Sequence, residues 1–130
     1  MIVDASAVLA VVMDEEEAAR FRAILLSRDR SKTISPVNSW EIAARLDNLG
    51  DPDPVRHMRE LLRRFGIEET TVDAVQTDAA ATAQRSYGKN NHPARLNLGD
   101  CFAYALAKTR GEPLLFKGDD FSQTDVRIAR

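Results

Sequence analysis

The chain has 130 residues, 44% of them hydrophobic and 29% charged, with a formal net charge of −2 at pH 7. That length suits one domain with a sizeable core, spanning residues 1–130, and the composition excludes disordered, collagenous and membrane-spanning classes. The slightly acidic balance supplies no overall positive field for nucleic acid, and the lone Cys101 rules out an intrachain disulfide or a thiolate zinc site.

Met1 to Asp4 reads as a short buried strand that runs directly into a helix of small residues, Ala5 to Ala10. Asp14 to Glu17 is expected in the first turn of the next helix, where the macrodipole favours negative charge; that helix carries Phe21, Ile24 and Leu25 on one face. Ser31 to Ser35 predicts a second strand. Pro36 then opens a helix reaching about Gly50, with Val37, Trp40, Ile42, Ala43 and Leu46 as packing candidates. Trp40 is expected in the core or on a dimer face rather than as a stacking platform for RNA.

After the Asp51-Pro52-Asp53-Pro54 turn, Val55 to Phe65 predicts a helix closed by Gly66, anchored by Leu61 and Leu62 with its arginines outward. Ile67 to Val72 is extended, Asp73 to Tyr87 alanine-rich and helical, and Gly88 to Asn97 the least ordered in character. Gly99 to Thr109 is helical, Pro113 to Phe116 a fourth strand and Val126 to Ile128 a short fifth. The alternation predicts an α/β fold with a mainly parallel sheet of about five strands covered on both faces.

Ligands gather at the carboxyl ends of the strands in such sheets. Asp4 and Asp119 both follow apolar runs at that edge, while Glu41 and Asp100 sit early in helices that can point back to it. A carboxylate at the rim of a core is costly to ionise without compensation. Each acid alone has a bland role: Asp4 as a helix cap, Glu41 paired with Arg45, Asp100 near a helix start and Asp119-Asp120 as a turn. Four together suggest a site for a hard divalent cation, Mg²⁺ with Mn²⁺ as substitute, which would offset their mutual repulsion. Such an ion can acidify a water and neutralise a scissile phosphate, and a second one about 4 Å away can stabilise the leaving oxygen.

The stretches Ile2-Val3-Asp4-Ala5-Ser6-Ala7, Ser35 to Glu41, Tyr87 to Ala107 and Leu114 to Phe121 resemble the PIN-domain ribonucleases. More narrowly, they resemble the VapC toxins of bacterial type II toxin–antitoxin modules. The likeness implies a three-layer α/β/α sandwich and a metal-dependent endoribonuclease cutting tRNA or ribosomal RNA. It also implies a VapB-type antitoxin and a homodimer. Asp4, Glu41 and Asp100 fall on the family's acidic positions. Relatives often carry Thr-x-Asp where this chain has Lys117-Gly118-Asp119-Asp120, so Asp119 is favoured over Asp120 as the fourth acid. Ser6 and Ser35 resemble polar positions near the metal site.

Lys89 and Arg95 could meet RNA phosphates on approach to Asp100. His57 and His92 are not spaced as ligands on one helix and are expected at the surface. With no run long enough to cross a membrane and no leader-like N-terminus, a soluble cytoplasmic protein without membrane contact is expected. Two other functions compete: a catalytically silent scaffold of the same fold, and a Mg²⁺-binding phosphoacceptor domain. The latter needs an acid after a central strand, which Asp47, Asp51 and Asp53 do not provide.

Overall fold

The computed structural model describes residues 1–130. Its elements, in chain order, are β1 (Ile2–Val3), α1 (Ala5–Val12), α2 (Ala18–Leu26), β2 (Lys32–Ile34), α3 (Pro36–Asn48), α4 (Pro54–Phe65), β3 (Ile67–Glu69), α5 (Ala74–Tyr87), α6 (Leu98–Arg110) and β4 (Leu114–Leu115). The strands form one four-stranded sheet in the order β3-β2-β1-β4, every pairing parallel.

Side chains alternate across a strand, and here the alternation divides the core in two. Val3 and Leu115 pack with residues of α1 to α4, whereas Ile2 and Leu114 pack with residues of α5 and α6. The β1–β4 register aligns Ile2 with Leu114 and Val3 with Leu115, so neighbouring strands agree on which side each residue takes. Apolar burial on both faces of β1 explains why its sequence is continuously hydrophobic rather than alternating. The result is the α/β/α sandwich that the pattern predicted.

Several boundaries differ from expectation for identifiable reasons. The fifth strand is reduced to one bridge, in which the Leu114 N–H donates to Arg127 and the Ala129 N–H to Leu114. Residues 70–72 are not strand: the Thr70 N–H still donates to Ile34, but β2 ends there and offers nothing further to pair. The acids from Asp14 to Glu17 precede α2, whose first turn contains none. Of the two places expected for Trp40, the core is excluded: it is 65% exposed, because Ile42, Ala43 and Leu46 form the face of α3 turned to the core. His92 is structural, its Nδ1 accepting from the Ala94 N–H and its ring meeting Tyr87 edge-on.

Candidate functional site

The carboxyl ends of β1 and β4 and the first turns of α3 and α6 meet at one edge of the sheet. Asp4 leaves β1 with its N–H donated to Leu115 of β4 (2.9 Å), in an extended conformation that lets it cap α1. One carboxylate oxygen, Oδ2, accepts from the Ser6 N–H (2.9 Å) and from the Ser6 hydroxyl. The other, Oδ1, accepts from the Asn38 side chain at 3.3 Å. Ser6 Oγ also accepts from the Lys117 N–H (3.0 Å), which ties the segment after β4 to the Asp4 carboxylate.

Asp100 lies in the first turn of α6, in a capping box. Its N–H donates to Asn97 Oδ1 and its Oδ2 accepts from the Asn97 N–H, both at 2.9 Å. This reciprocal arrangement satisfies two orphan helix donors and fixes the carboxylate, while only one of its oxygens takes part. The capping bonds of Asp4 and Asp100 therefore use Oδ2 and leave Oδ1 of each carboxylate out of the cap.

The centre of the arrangement is Asn38, a residue that sequence reasoning missed. It is fully buried, and its Nδ2 donates to Glu41 Oε2 (2.7 Å), to the Gly99 carbonyl (3.1 Å) and to Asp4 Oδ1. One amide thus joins the acid after β1, the acid of α3 and the backbone of α6. Its Oδ1 is buried without a partner. Glu41, one turn further along α3, bonds back to Asn38 and lies directly against Gly99. A methyl group built on Gly99 would overlap the Glu41 carboxylate, so the close approach of α3 to α6 depends on the missing side chain. The three-residue spacing of Asn38 and Glu41 on one helix face was the available clue.

The electrostatics of the edge are unfavourable as they stand. Burial pushes the Asp4 carboxyl above its ordinary value; the Ser6 bonds oppose this, and the Asp120 charge adds to it. Burial, then the Asp4 charge, raises Glu41 to about 7 against the Asn38 bond. Burial also raises Asp100 to about 7, with Asp4, Asp120 and Glu41 contributing and the Asn97 N–H opposing. These shifts mark carboxylates crowded in a partly dry environment.

The remaining candidates separate clearly. Asp120 is exposed, yet its charge is felt by both Asp4 and Asp100. Asp119, favoured from the sequence, instead lines an open surface depression with Glu17 and Arg20. The turn at Gly118, whose φ of +98° suits glycine, sends the two adjacent acids to different surroundings. Ser35 is fully buried and caps α3 through its Oγ and the Val37 N–H (3.3 Å). Lys89 and Arg95 are exposed on the segment before α6.

A hard divalent ion fits the chemistry of this edge. All donors are oxygens, the charges repel one another, and a buried amide oxygen has no partner. No three of the acids form a preformed cage around one point. An ion held through one or two carboxylates that keeps several waters, as Mg²⁺ does, needs no such cage.

Comparison with known proteins gives the family. A family model described as the PIN domain matches residues 1–127. Ribonuclease VapC42 of Mycobacterium tuberculosis is 45% identical over 130 residues, covering 99% of this chain and 98% of the relative. The crystal structure of Mycobacterium tuberculosis VapC20, a Sarcin-Ricin loop cleaving toxin, superposes with a TM-score of 0.79 at 13% identity, covering 99% of this chain and 98% of the other. A toxin-antitoxin complex from Klebsiella pneumoniae gives a TM-score of 0.72 at 12% identity, over 98% of this chain and 95% of the other. These two show a shared fold, while the close relative shows more: the chain belongs to the PIN-domain family, among the VapC ribonucleases.

Proposed function

We propose that the chain is the toxin of a toxin–antitoxin pair and hydrolyses RNA phosphodiester bonds at the edge formed by Asp4, Glu41, Asp100 and Asp120. The observation that carries this is the crowding of Asp4, Glu41 and Asp100 around Asn38, each held above its ordinary carboxyl value. Crowded acids of that kind accommodate a divalent cation. When bound, the ion would lower the pKa of a water and neutralise charge on the phosphate. Mg²⁺ is the natural choice, with Mn²⁺ able to replace it.

The side chains divide the work. Asp4 and Asp100 are the more rigid, each fixed by helix-capping bonds, and they set the position of the ion. Glu41, held from one side by Asn38 and from the other by the Gly99 backbone, is placed to accept a proton from the attacking water. Asp120, exposed and attached to a turn, replaces Asp119 as the fourth acid. Ser6 keeps Asp4 in place, whereas Ser35 acts on the site only by starting α3. The substrate is structured RNA such as tRNA or ribosomal RNA. A VapB-type antitoxin and a second copy of the chain are the expected protein partners.

The test is incubation of the purified protein with total bacterial RNA and Mg²⁺ or Mn²⁺. Discrete fragments carrying 5′-phosphates are expected, and none with chelator. Undiminished cutting by Asp4→Asn and Asp100→Asn proteins would refute the assigned site. No helix is long and apolar enough to cross a membrane.

A further inference from the structure

Beside the acidic edge, between the last turn of α5 and the first of α6, lies an open cavity of about 480 Å³. None of the chain's 20 acidic residues lines it, although it adjoins the crowded acids. Four side-chain amides do, from Gln84, Asn90, Asn91 and Asn97, together with Lys89 and the exposed Leu98. Asn97 belongs to two sites at once. Its side chain walls the cavity, while its backbone N–H donates to the Asp100 carboxylate at 2.9 Å.

We propose that this cavity is a nucleobase subsite, holding one unpaired base of the RNA strand next to the phosphate being cut. The Gln84 and Asn90 amides make no hydrogen bond within the fold and each carries a donor and an acceptor, the pairing that matches the edges of bases. Asn97 Oδ1, by contrast, already accepts from the Asp100 N–H, and Asn91 Nδ2 donates to the Gln84 carbonyl. Leu98 offers an apolar surface to the ring. Lys89 supplies a cation for the phosphate of that nucleotide, and the absence of carboxylates spares a polyanion any like charge. The volume falls in the range of small-molecule sites. It is large enough for a single base and too small for a duplex.

The loop bearing these groups is built rather than slack, contrary to its composition. The Lys89 N–H donates to Leu96 (3.1 Å) and the Leu96 N–H to Tyr87 (2.9 Å), while Asn91 and His92 both donate to the Gly88 carbonyl. Tyr87 and His92 meet edge-on at 5.2 Å. Arg95 is held at φ +55°, a strained left-handed conformation for that residue, with its N–H donated to His92. Strain kept in place by surrounding bonds is characteristic of binding sites, and a loop ordered in advance loses less entropy when it binds.

The subsite rests on the ribonuclease reading, and two experiments make the failure of one distinguishable from the failure of the other. In the first, the metal-free protein is titrated with the four nucleoside 5′-monophosphates and, separately, with inorganic phosphate, following backbone amide resonances. Shifts at residues 84, 89–91 and 97 that differ among the bases and are absent with inorganic phosphate are expected. Equal shifts with phosphate alone would make this an anion site. No shifts with any nucleotide, but shifts on adding the antitoxin, would make it a protein interface. Either result overturns the proposal.

In the second, a hairpin RNA with a randomised loop is cleaved and the ends are sequenced. The wild-type protein should prefer one base at a fixed distance from the cut. Gln84→Ala and Asn90→Ala should each weaken that preference roughly tenfold. Lys89→Ala should slow all loops alike. A preference unchanged by both amide variants would overturn the subsite while leaving the nuclease standing. Failure of the wild type to cut would count against the nuclease alone, because the titration still decides the subsite.

Discussion

Asp125 and Asp100 are both tied to α6 by hydrogen bonds, and their surroundings drive them in opposite directions. Asp125 accepts from Lys108 Nζ (2.8 Å) and from the Tyr104 hydroxyl, and these bonds hold its carboxyl below the ordinary value. Asp51 behaves likewise through His57, at 2.6 Å. Asp100 meets burial and three other acids instead and rises to about 7. A paired acid helps hold the fold together, whereas a crowded one weakens it until a cation arrives. The direction of the shift, more than the presence of an acid, separates scaffold from site.

The sharpest way to break this contrast is to neutralise one acid of each kind. Asp100→Asn should lower the rate of RNA cleavage by roughly 10²–10⁴-fold. In metal-free buffer its thermal midpoint should equal or exceed that of the wild type, because the change relieves repulsion. A variant that lost activity through unfolding would deny the contrast, and thermal scans beside rate measurements tell the two apart.

Next in size are the two uncharged residues that arrange the acids. Asn38→Ala removes the bond shared by Asp4 and Glu41 and should weaken Mn²⁺ binding by roughly 10–100-fold, read by calorimetry. Gly99→Ala forces the Glu41 carboxylate aside. Because that group is the tip of a flexible side chain, the fold should tolerate the change while cleavage falls roughly tenfold or more. Equal activity in Gly99→Ala would mean that the position of Glu41 does not matter.

The pH dependence of stability has a sign that the contrast fixes. The ordinary values for Asp100 and Glu41 are 3.8 and 4.5, and both rise to about 7 in the folded chain. Between these limits the folded state binds protons that the unfolded state has released. Metal-free stability therefore falls as pH rises from about 4 to about 7 and is level above that. Asp51 and Asp125, held low, add stability that is present above 3.8 and lost as pH falls below it. With chelator, the thermal midpoint should be higher near pH 5.5 than near pH 8, and saturating Mn²⁺ at pH 8 should close the gap. A midpoint that rises steadily to pH 8 without metal would contradict the crowding.

The strand–helix alternation and the strand-end position of Asp4 were legible because apolar runs and punctuating acids are local signals. The α6 start was legible for the same reason, since Asn97 and Asp100 have the spacing of a capping box. Asn38 was not, because its importance comes from contact with Gly99, 61 positions away. That Trp40 lies outside the core was not legible, because apolar character says nothing about which way a helix is turned. That the Asp120 charge acts on Asp4 and Asp100 was not legible, because it depends on the turn at Gly118 and a turn's direction is set by what it packs against. Loop 88–97 looked loose because its order lies in backbone bonds and one aromatic pair, which composition does not reveal.

The smallest effect tests the paired side of the contrast. Asp125→Asn keeps the shape of the side chain and can still accept from Tyr104, but it loses the charge facing Lys108. That ion pair is well exposed, 42% and 57% for the two side chains, so water and salt screen most of its value. The loss should be about 0.5–1 kcal/mol, seen as a small drop in the denaturation midpoint that shrinks at high salt. Metal binding and RNA cleavage should not change, because Asp125 is absent from the charges acting on Asp4, Glu41 and Asp100. A fall in cleavage without a fall in stability would show that the two sets of acids are coupled through α6.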